Sequence, residues 1–521
     1  MVEGFKKNTK AIVFYIIFFL FILGFSTTAS NYDLDLWARL IAGMGFVQTG
    51  QVLRHDFLSY TPTHIWYDHE WGSGVIFYLV KQLFGVAGFL FLQAALVFLI
   101  FFTISKVIKL RGTTTTTPYN FLFYYFSFMA FSYIADMPVR CQLFSFLFFA
   151  VFLYILESAR NGKPKLLWIL PPLMLVWNNL HGGCVVGLGL IVLYIIGEFL
   201  NRKPFRNYIY ALLGTLAVLP INPWGLSYLD FLFKANTMNR SMIMEWQSLL
   251  SKNAVITNIS FNFKLFALVL LFFEADLIVK QIFAKNFKFD ATKILVILTT
   301  LFFAIWHVKL IPFAVISLAC FLYDDFYTIF NTLTKNFLDK IAVAKDSIIY
   351  VLIIIFFLSS IKANGFGPYL NVFRFPLRPV EFVKINNLKG DILEDFSSGS
   401  YISYKLYPNN KIFMDGRYEE VYNPELLSLY NDFCIASPNW DKLLKLYPPD
   451  IIILYKKYHG FDKVKADRNW KLVFDDGVSG VFVKAKDAKK HYEQPSEDIN
   501  YYKKTLFDTS IDLRDRLIEK N

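Results

Sequence analysis

The sequence predicts a polytopic α-helical membrane protein of about 11 transmembrane helices, followed by a small extracytoplasmic α/β domain. Three observations predict it. Of the 521 residues 55% are hydrophobic and 19% aromatic, with 57 Phe. Only 18% are charged, against about 25% in an average soluble domain, so a water-soluble fold cannot hide the apolar surface. Eleven apolar stretches recur along residues 1–361, and beyond 369 strand-like and helix-like runs alternate.

The spans are expected near 11–29, 86–107, 119–135, 141–158, 166–180, 184–200, 207–221, 263–280, 292–307, 309–323 and 347–361. Thr28-Ala29-Ser30 resembles a cleavage site, but the apolar stretch before it is long for a signal peptide, which favours a retained anchor. Residues 1–361 hold 28 of the 53 Lys and Arg and 18 of the 41 Asp and Glu, so the net charge of +12 resides mainly in the apolar part. No basic helix or aromatic–basic array accompanies it, which argues against a nucleic-acid partner. Lys6, Lys7 and Lys10 precede the first span and set the N-terminus in the cytoplasm. Alternation then places Lys106/Lys109/Arg111, Arg160/Lys163/Lys165, Arg202/Lys203/Arg206, Lys280/Lys285/Lys288/Lys293 and Lys335/Lys340/Lys345 on the same side. The C-terminal part falls outside the membrane on the opposite face. The four Cys form no CxxC, so neither a structural disulfide nor a thiolate zinc site is expected.

The first outer loop, 30–85, has structure of its own. Residues 35–48 and 70–84 show helical apolar spacing, end at Gly50 and Gly85, and read as amphipathic helices lying in the outer interface. The tail divides into an α/β domain over 362–487 and a charged stretch over 488–521. Within the domain PVEFVKINN and SYISYKLY read as helices, DILEDF, KIFMDG and DIIILY as strands, and KLVFDD with VFVKAK as a closing pair.

Polar groups suited to proton and phosphate chemistry gather on the outer side. Asp33 and Asp35 stand at the exit of the first span, before Trp37 and Arg39. They can hold a divalent cation, act as a general base, or cap the following helix. His55, Asp56, Asp68, His69 and Glu70 are dense in the segment RHDFLSYTPTHIWYDHEW, where capping accounts for one acid but not for the imidazoles. Asp136 and Arg140 occupy the next outer turn. Arg140 suits a phosphate, because its guanidinium stays charged and offers a fork of donors; an Asp–Arg pair fixing the turn is the alternative. His181 in NNLHGG can meet a phosphate or end a helix, and His307 and Lys309 are similar candidates. Asp415-Gly-Arg417, after a strand, reads as a turn before it reads as a sugar site.

Taken together, DLDLWARL (33–40), HDFLSYT (55–61), DHEW (68–71), MPVRCQLFSF (137–146), NNLHGG (178–183), INPWG (221–225), GSYISYKLYP (399–408) and KIFMDGRYE (411–419) resemble the GT-C class of membrane glycosyltransferases. Within that class they are most similar to bacterial proteins related to the glycosyltransferase 39 type. The resemblance implies transfer of a sugar from a polyprenyl-phosphate donor to a glycan, lipid or protein acceptor, on the outer face of a bacterial cytoplasmic membrane. It implies that Asp33 or Asp35 is the catalytic base. Arg39, His55, Asp56, His69, Glu70, Arg140, His181 and Lys309 would bind substrate, with Arg140, His181 or Lys309 at the phosphate. A divalent metal, Mg or Mn, would use Asp33, Asp35 and Asp136. The second-loop metal motif of oligosaccharyltransferases is not evident, so metal dependence stays open. A non-catalytic glycolipid-binding or transporting component of envelope polysaccharide synthesis is the alternative. Transport calls for ionisable groups near mid-membrane, whereas Glu157, Glu198 and Glu274 fall near inner ends.

Overall fold

The computed structural model describes residues 2–29, 32–112, 118–132, 138–238, 240, 243–285, 288–338, 342–366, 370 and 374–514. Asp136, the threonine run 113–117 and Lys340 therefore lie outside the described residues. The chain folds as two compact units, one of residues 1–31 with 83–369 and one of 32–82 with 370–521. The first outer loop thus groups with the C-terminal tail rather than with the spans.

In the first unit each of the eleven apolar stretches falls on a helix: Val2–Ala29, Trp71–Leu110 beyond its kink, Pro118–Phe131, Gln142–Arg160, Leu170–Leu180, Val185–Leu200, Arg206–Val218, Phe261–Phe283, Ala291–Trp306, Ile311–Leu338 and Ala342–Asn364. Among the described residues five helices are long and apolar enough to cross a membrane, and Phe121–Phe131, Ala291–Trp306 and Ile348–Asn364 are shorter apolar ones. The chain is a membrane protein, and among the described residues several of the expected spans form helices of only 11–16 residues. The first and last helices pack together, with Gly24 against the Phe356 ring. Arg160 joins three helices near their ends, with Glu157 at 3.0 Å, Glu198 at 2.8 Å and Asp290 at 3.0 Å.

The second unit is built on a five-stranded sheet: β1 (Gly390–Glu394), β2 (Asn410–Ile412), β3 (Ile451–Tyr455), β4 (Trp470–Asp475) and β5 (Ser479–Lys484). Its order is β2-β1-β3-β5-β4. β1 pairs in parallel with β2 and β3, and the closing hairpin β4–β5 is antiparallel to β3. The alternation read from the sequence is reproduced element by element, with helices Leu377–Ile385 and Gly399–Leu406 where they were expected.

Helix Leu36–Thr49 ends at Gly50 as the spacing predicts, with Gly50 in the left-handed region (φ 72°). Yet it does not present one apolar face and one polar face. Ten consecutive residues, Leu36 to Gly45, are buried, and the helix packs on Gly399–Leu406. Trp37, fully buried, sits among Tyr401, Tyr404, Phe375 and Phe507. Partners from the tail therefore cover what the sequence leaves looking like a membrane-facing surface. The charged stretch 488–514 is likewise tied down. Lys405 donates to the carbonyls of Thr505 and Asp508 at 2.7 and 2.9 Å, and the Leu513 N–H donates to Gln48.

The helix that starts at Trp71 is interrupted at Gly85 (φ 60°, ψ −148°), as the second expected boundary requires. Its first turn crosses Leu36–Thr49 backbone to backbone. A methyl added at Gly43 would collide with the Gly74 carbonyl, and one at Gly74 would lie 2.6 Å from the Arg39 carbonyl. Gly43→Ala is therefore expected to destabilise the protein by about 1–3 kcal/mol through overpacking. Gly189→Ala, where an added methyl meets nothing, should be neutral or stabilising. Thermal unfolding of the two purified variants checks the pair.

Candidate functional site

The two acids at the exit of the first helix have different surroundings. Asp33 is 4% exposed, and its Oδ1 accepts the Asp35 N–H at 2.9 Å. It shapes the turn that leads into Leu36–Thr49. Asp35 is half-buried and occupies the cap position of that helix, but its side chain makes no capping bond. Instead its carboxylate lies against Gly416, where an added Cβ would collide with Oδ1. Capping thus does not account for Asp35.

One helical turn further on, Arg39 is buried and gathers three acids. Its Nη1 bonds Asp68, its Nη2 donates to Glu420 at 2.9 Å, and its Nε lies 3.3 Å from Glu70. Glu420 also accepts from Trp66 Nε1 at 2.7 Å and pairs with His69 Nδ1 at 2.8 Å. Burial disfavours a charge on His69, yet its hydrogen bond to Glu420 and the charges of Glu70 and Glu420 lift it to about 9. Burial also opposes the Glu420 carboxylate, but Arg39 and His69 hold it down at about 2. Asp68 is pushed up to about 6 by burial, with Glu420 and Glu70 adding to it against Arg39. Arg39, His69 and Glu70 thus come together in an ion-pair network that includes Glu420. Sequence reasoning missed Glu420; the only signal was a second acid following the KIFMDGRYE motif.

Beside it lies a second network. Arg417, 1% exposed, bonds Asp415 through Nε at 2.9 and 3.0 Å and Asp56 through Nη1 at 2.7 Å. Its guanidinium lies 4.6 Å from the centre of the Trp66 ring. Burial works against the Asp56 charge, but Arg417 and the bonds from Ser59 hold its carboxyl below the usual range. Asp56 is fully engaged here, and Asp415 and Arg417 are buried rather than forming a plain surface turn. His55 stands apart. It is exposed, in a short antiparallel bridge with Ile65.

The remaining candidates lie in the first unit. Arg140 makes a two-pronged pair with Glu245, at 2.8 and 3.1 Å. His181 caps the turn that follows it: its Nδ1 accepts the Gly183 N–H at 3.0 Å and the hydroxyl of Ser145 at 2.7 Å. Ser145 in turn accepts from Trp177 Nε1. Lys309 is placed 3.6 Å from the centre of the Trp246 ring, and buried Arg240 lies 4.1 Å from the same ring. His307 donates through Nδ1 to the Trp246 carbonyl at 2.6 Å. Arg240, Trp246 and His307 line a cavity of about 850 Å³ whose other walls include Ser248, Phe302 and Trp306. The sequence marked Lys309 and His307 but not Arg240 or Trp246, which stand in a loop without motif.

Among the described residues the group with metal-ligand spacing is His69, Glu70 and Glu420; Asp136, one of the three expected ligands, lies outside them. A divalent ion does not fit it well as built. Both glutamates are already engaged by Arg39.

No protein-family model and no curated protein matches the sequence. Solved structures do. The oligosaccharyltransferase of Archaeoglobus fulgidus in its apo form superposes with a TM-score of 0.57 at 9% identity, over 87% of this chain and 70% of that one. The same enzyme tethered by a disulfide to an acceptor peptide with an NVT sequon gives 0.56, at the same identity and coverage. The arabinofuranosyltransferase AftD from Mycobacteria gives 0.48 at 10% identity, over 93% of this chain and 40% of that one. The chain therefore has the GT-C fold that its motifs imply.

Proposed function

We propose that this protein is a membrane glycosyltransferase that moves a sugar from a polyprenyl-phosphate donor to an acceptor hydroxyl, with Asp35 as the general base. The observation that carries this reading is a half-buried carboxylate, not used as a helix cap, on a fold shared with an oligosaccharyltransferase. Asp35 takes the proton of the acceptor hydroxyl as its oxygen attacks the anomeric carbon. The bond from that carbon to the phosphate oxygen breaks, the configuration inverts, and polyprenyl phosphate leaves. Asp33 positions Asp35 through its backbone N–H.

Within the first unit, taken by itself, the cavity lined by Arg240 and Trp246 combines positive charge with the exposed apolar surface of Phe302, Ile305 and Trp306, which suits an anionic prenyl lipid. The charge pattern of the loops supports an N-terminus in the bacterial cytoplasm and a second unit outside it. The acceptor is a glycan, lipid or protein, and a metal has no step in this scheme. Transport of the glycolipid is less well supported, because the ionisable groups of the spans are locked in pairs: Glu157 and Glu198 with Arg160, and Glu274 with Lys293 at 2.8 Å.

The test is transfer from radiolabelled polyprenyl-phosphate hexoses and pentoses by purified protein in proteoliposomes. Asp35→Asn should lower turnover by about 10²–10⁴-fold, and Asp33→Asn by less. Full activity of Asp35→Asn would sink the base assignment.

On this reading Arg39, His69 and Glu70 hold the loop together instead of touching substrate, which gives a pH signature. His69 is raised in the folded state from 6.5 to about 9. Its contribution to stability is fully present below about 6.5 and is lost as the pH rises through about 9. Melting temperatures of the native protein should fall over that window, and His69→Gln should flatten the decline.

A further inference from the structure

We propose that the Asp415-Gly416-Arg417 turn is the positioning element for Asp35, acting as a rigid backbone seat that fixes where its carboxylate points. This rests on the reading of Asp35 as the base and names the part of the chain that orients it.

The seat requires a glycine for space and not for backbone conformation. Gly416 is not among the residues in the left-handed region, so an alanine could adopt its φ. What an alanine could not do is share the space. Its Cβ would press on Asp35 Oδ1, and the carboxyl carbon of Asp35 would stand only 3.2 Å away. The carboxylate therefore rests on bare backbone.

The turn under it has little freedom to yield. Asp415 accepts the Arg417 N–H at 3.2 Å and the Ser400 hydroxyl at 2.9 Å, in addition to Arg417 Nε. Gly399 packs as tightly from the other side: a methyl there would collide with Asp415 Cβ at 2.8 Å. Arg417 is anchored by Asp56 and by contact with Trp66, and Tyr422 bonds both Arg417 and Ser59. Asp35 stands on the short stretch between a membrane helix and Leu36–Thr49, and its side chain has two rotatable bonds. A seat closed on this side removes orientations that would turn the oxygen away from an incoming hydroxyl. Displacement of a reacting group by about 1 Å can cost about 10²-fold in rate.

The experiment uses the full-length protein in nanodiscs and two readouts. Carboxyl groups are coupled to glycine ethyl ester with a water-soluble carbodiimide, and labelling of Asp33 and Asp35 is followed by mass spectrometry between pH 4.5 and 7. Turnover is measured with the donor panel above. In Gly416→Ala, Asp35 should label several-fold faster with Asp33 unchanged. Its kcat should drop about 10²-fold with KM little changed, and the substitution should have no further effect in an Asp35→Asn background. Should Gly416→Ala fail to fold, Arg417→Lys keeps the charge, removes the fork that braces the turn, and should give the same pattern more weakly. Unchanged labelling and turnover in a folded Gly416→Ala protein, with Asp35→Asn inactive, overturns the role of the turn alone. Turnover insensitive to Asp35→Asn removes the base assignment and this role with it.

Discussion

Two buried guanidinium groups hold the extramembrane unit together. Arg39 belongs to the first loop and Arg417 to the tail, and each binds acids from the other segment: Arg39 binds Glu420, and Arg417 binds Asp56. A charge taken out of water is costly, and only well-made hydrogen bonds offset the loss. Arg39 meets that condition with Asp68, Glu70 and Glu420, and Arg417 with Asp415 and Asp56. Breaking one partner of such a pair typically costs about 3–5 kcal/mol, because a lone buried charge remains. The interaction therefore specifies which loop docks on which turn more than it adds raw stability. The Trp66 ring lies against Arg417 and donates its N–H to Glu420, so one side chain joins both networks.

The membrane unit uses the same residue types differently. Arg160 ties three helices near their ends, and Arg140 pairs with Glu245. Arg240 and Lys309 instead meet the π-face of Trp246, Arg240 at the wall of a cavity.

Much of the fold was legible in the sequence. Apolar run length and 3.6-residue spacing located the eleven apolar helices but not Ser227–Thr237 or Ala254–Ile259, and Gly50 and Gly85 marked the boundaries in the first loop. The five strands of the tail and helices Leu377–Ile385 and Gly399–Leu406 followed from alternation and turn residues, whereas helices Pro424–Cys434 and His459–Ala466 did not. Two further features were not legible. Burial on all sides of Leu36–Thr49 depends on Tyr401, Tyr404 and Phe507, more than 350 residues away in the chain, and local pattern carries no record of such partners. The roles within the acid-rich segment also escaped. His69 and Glu70 were recognisable as a cluster, but their common partner Glu420, and the use of Asp56 as a counter-ion, depend on tertiary pairing. The half-buried position of Asp35 beside Gly416 belongs to the same class.

The extramembrane unit is discontinuous: residues 32–82 form one part of it and 370–521 the other. On a ribosome the first part emerges about 290 residues before its partner begins, a delay of roughly 15–60 s at ordinary elongation rates of 5–20 residues per second. Throughout that interval Trp37 and the guanidinium of Arg39 have none of their tail-borne neighbours. The nascent loop must be kept from aggregating until the last strands are made, so premature termination anywhere in the membrane unit strands it without a core.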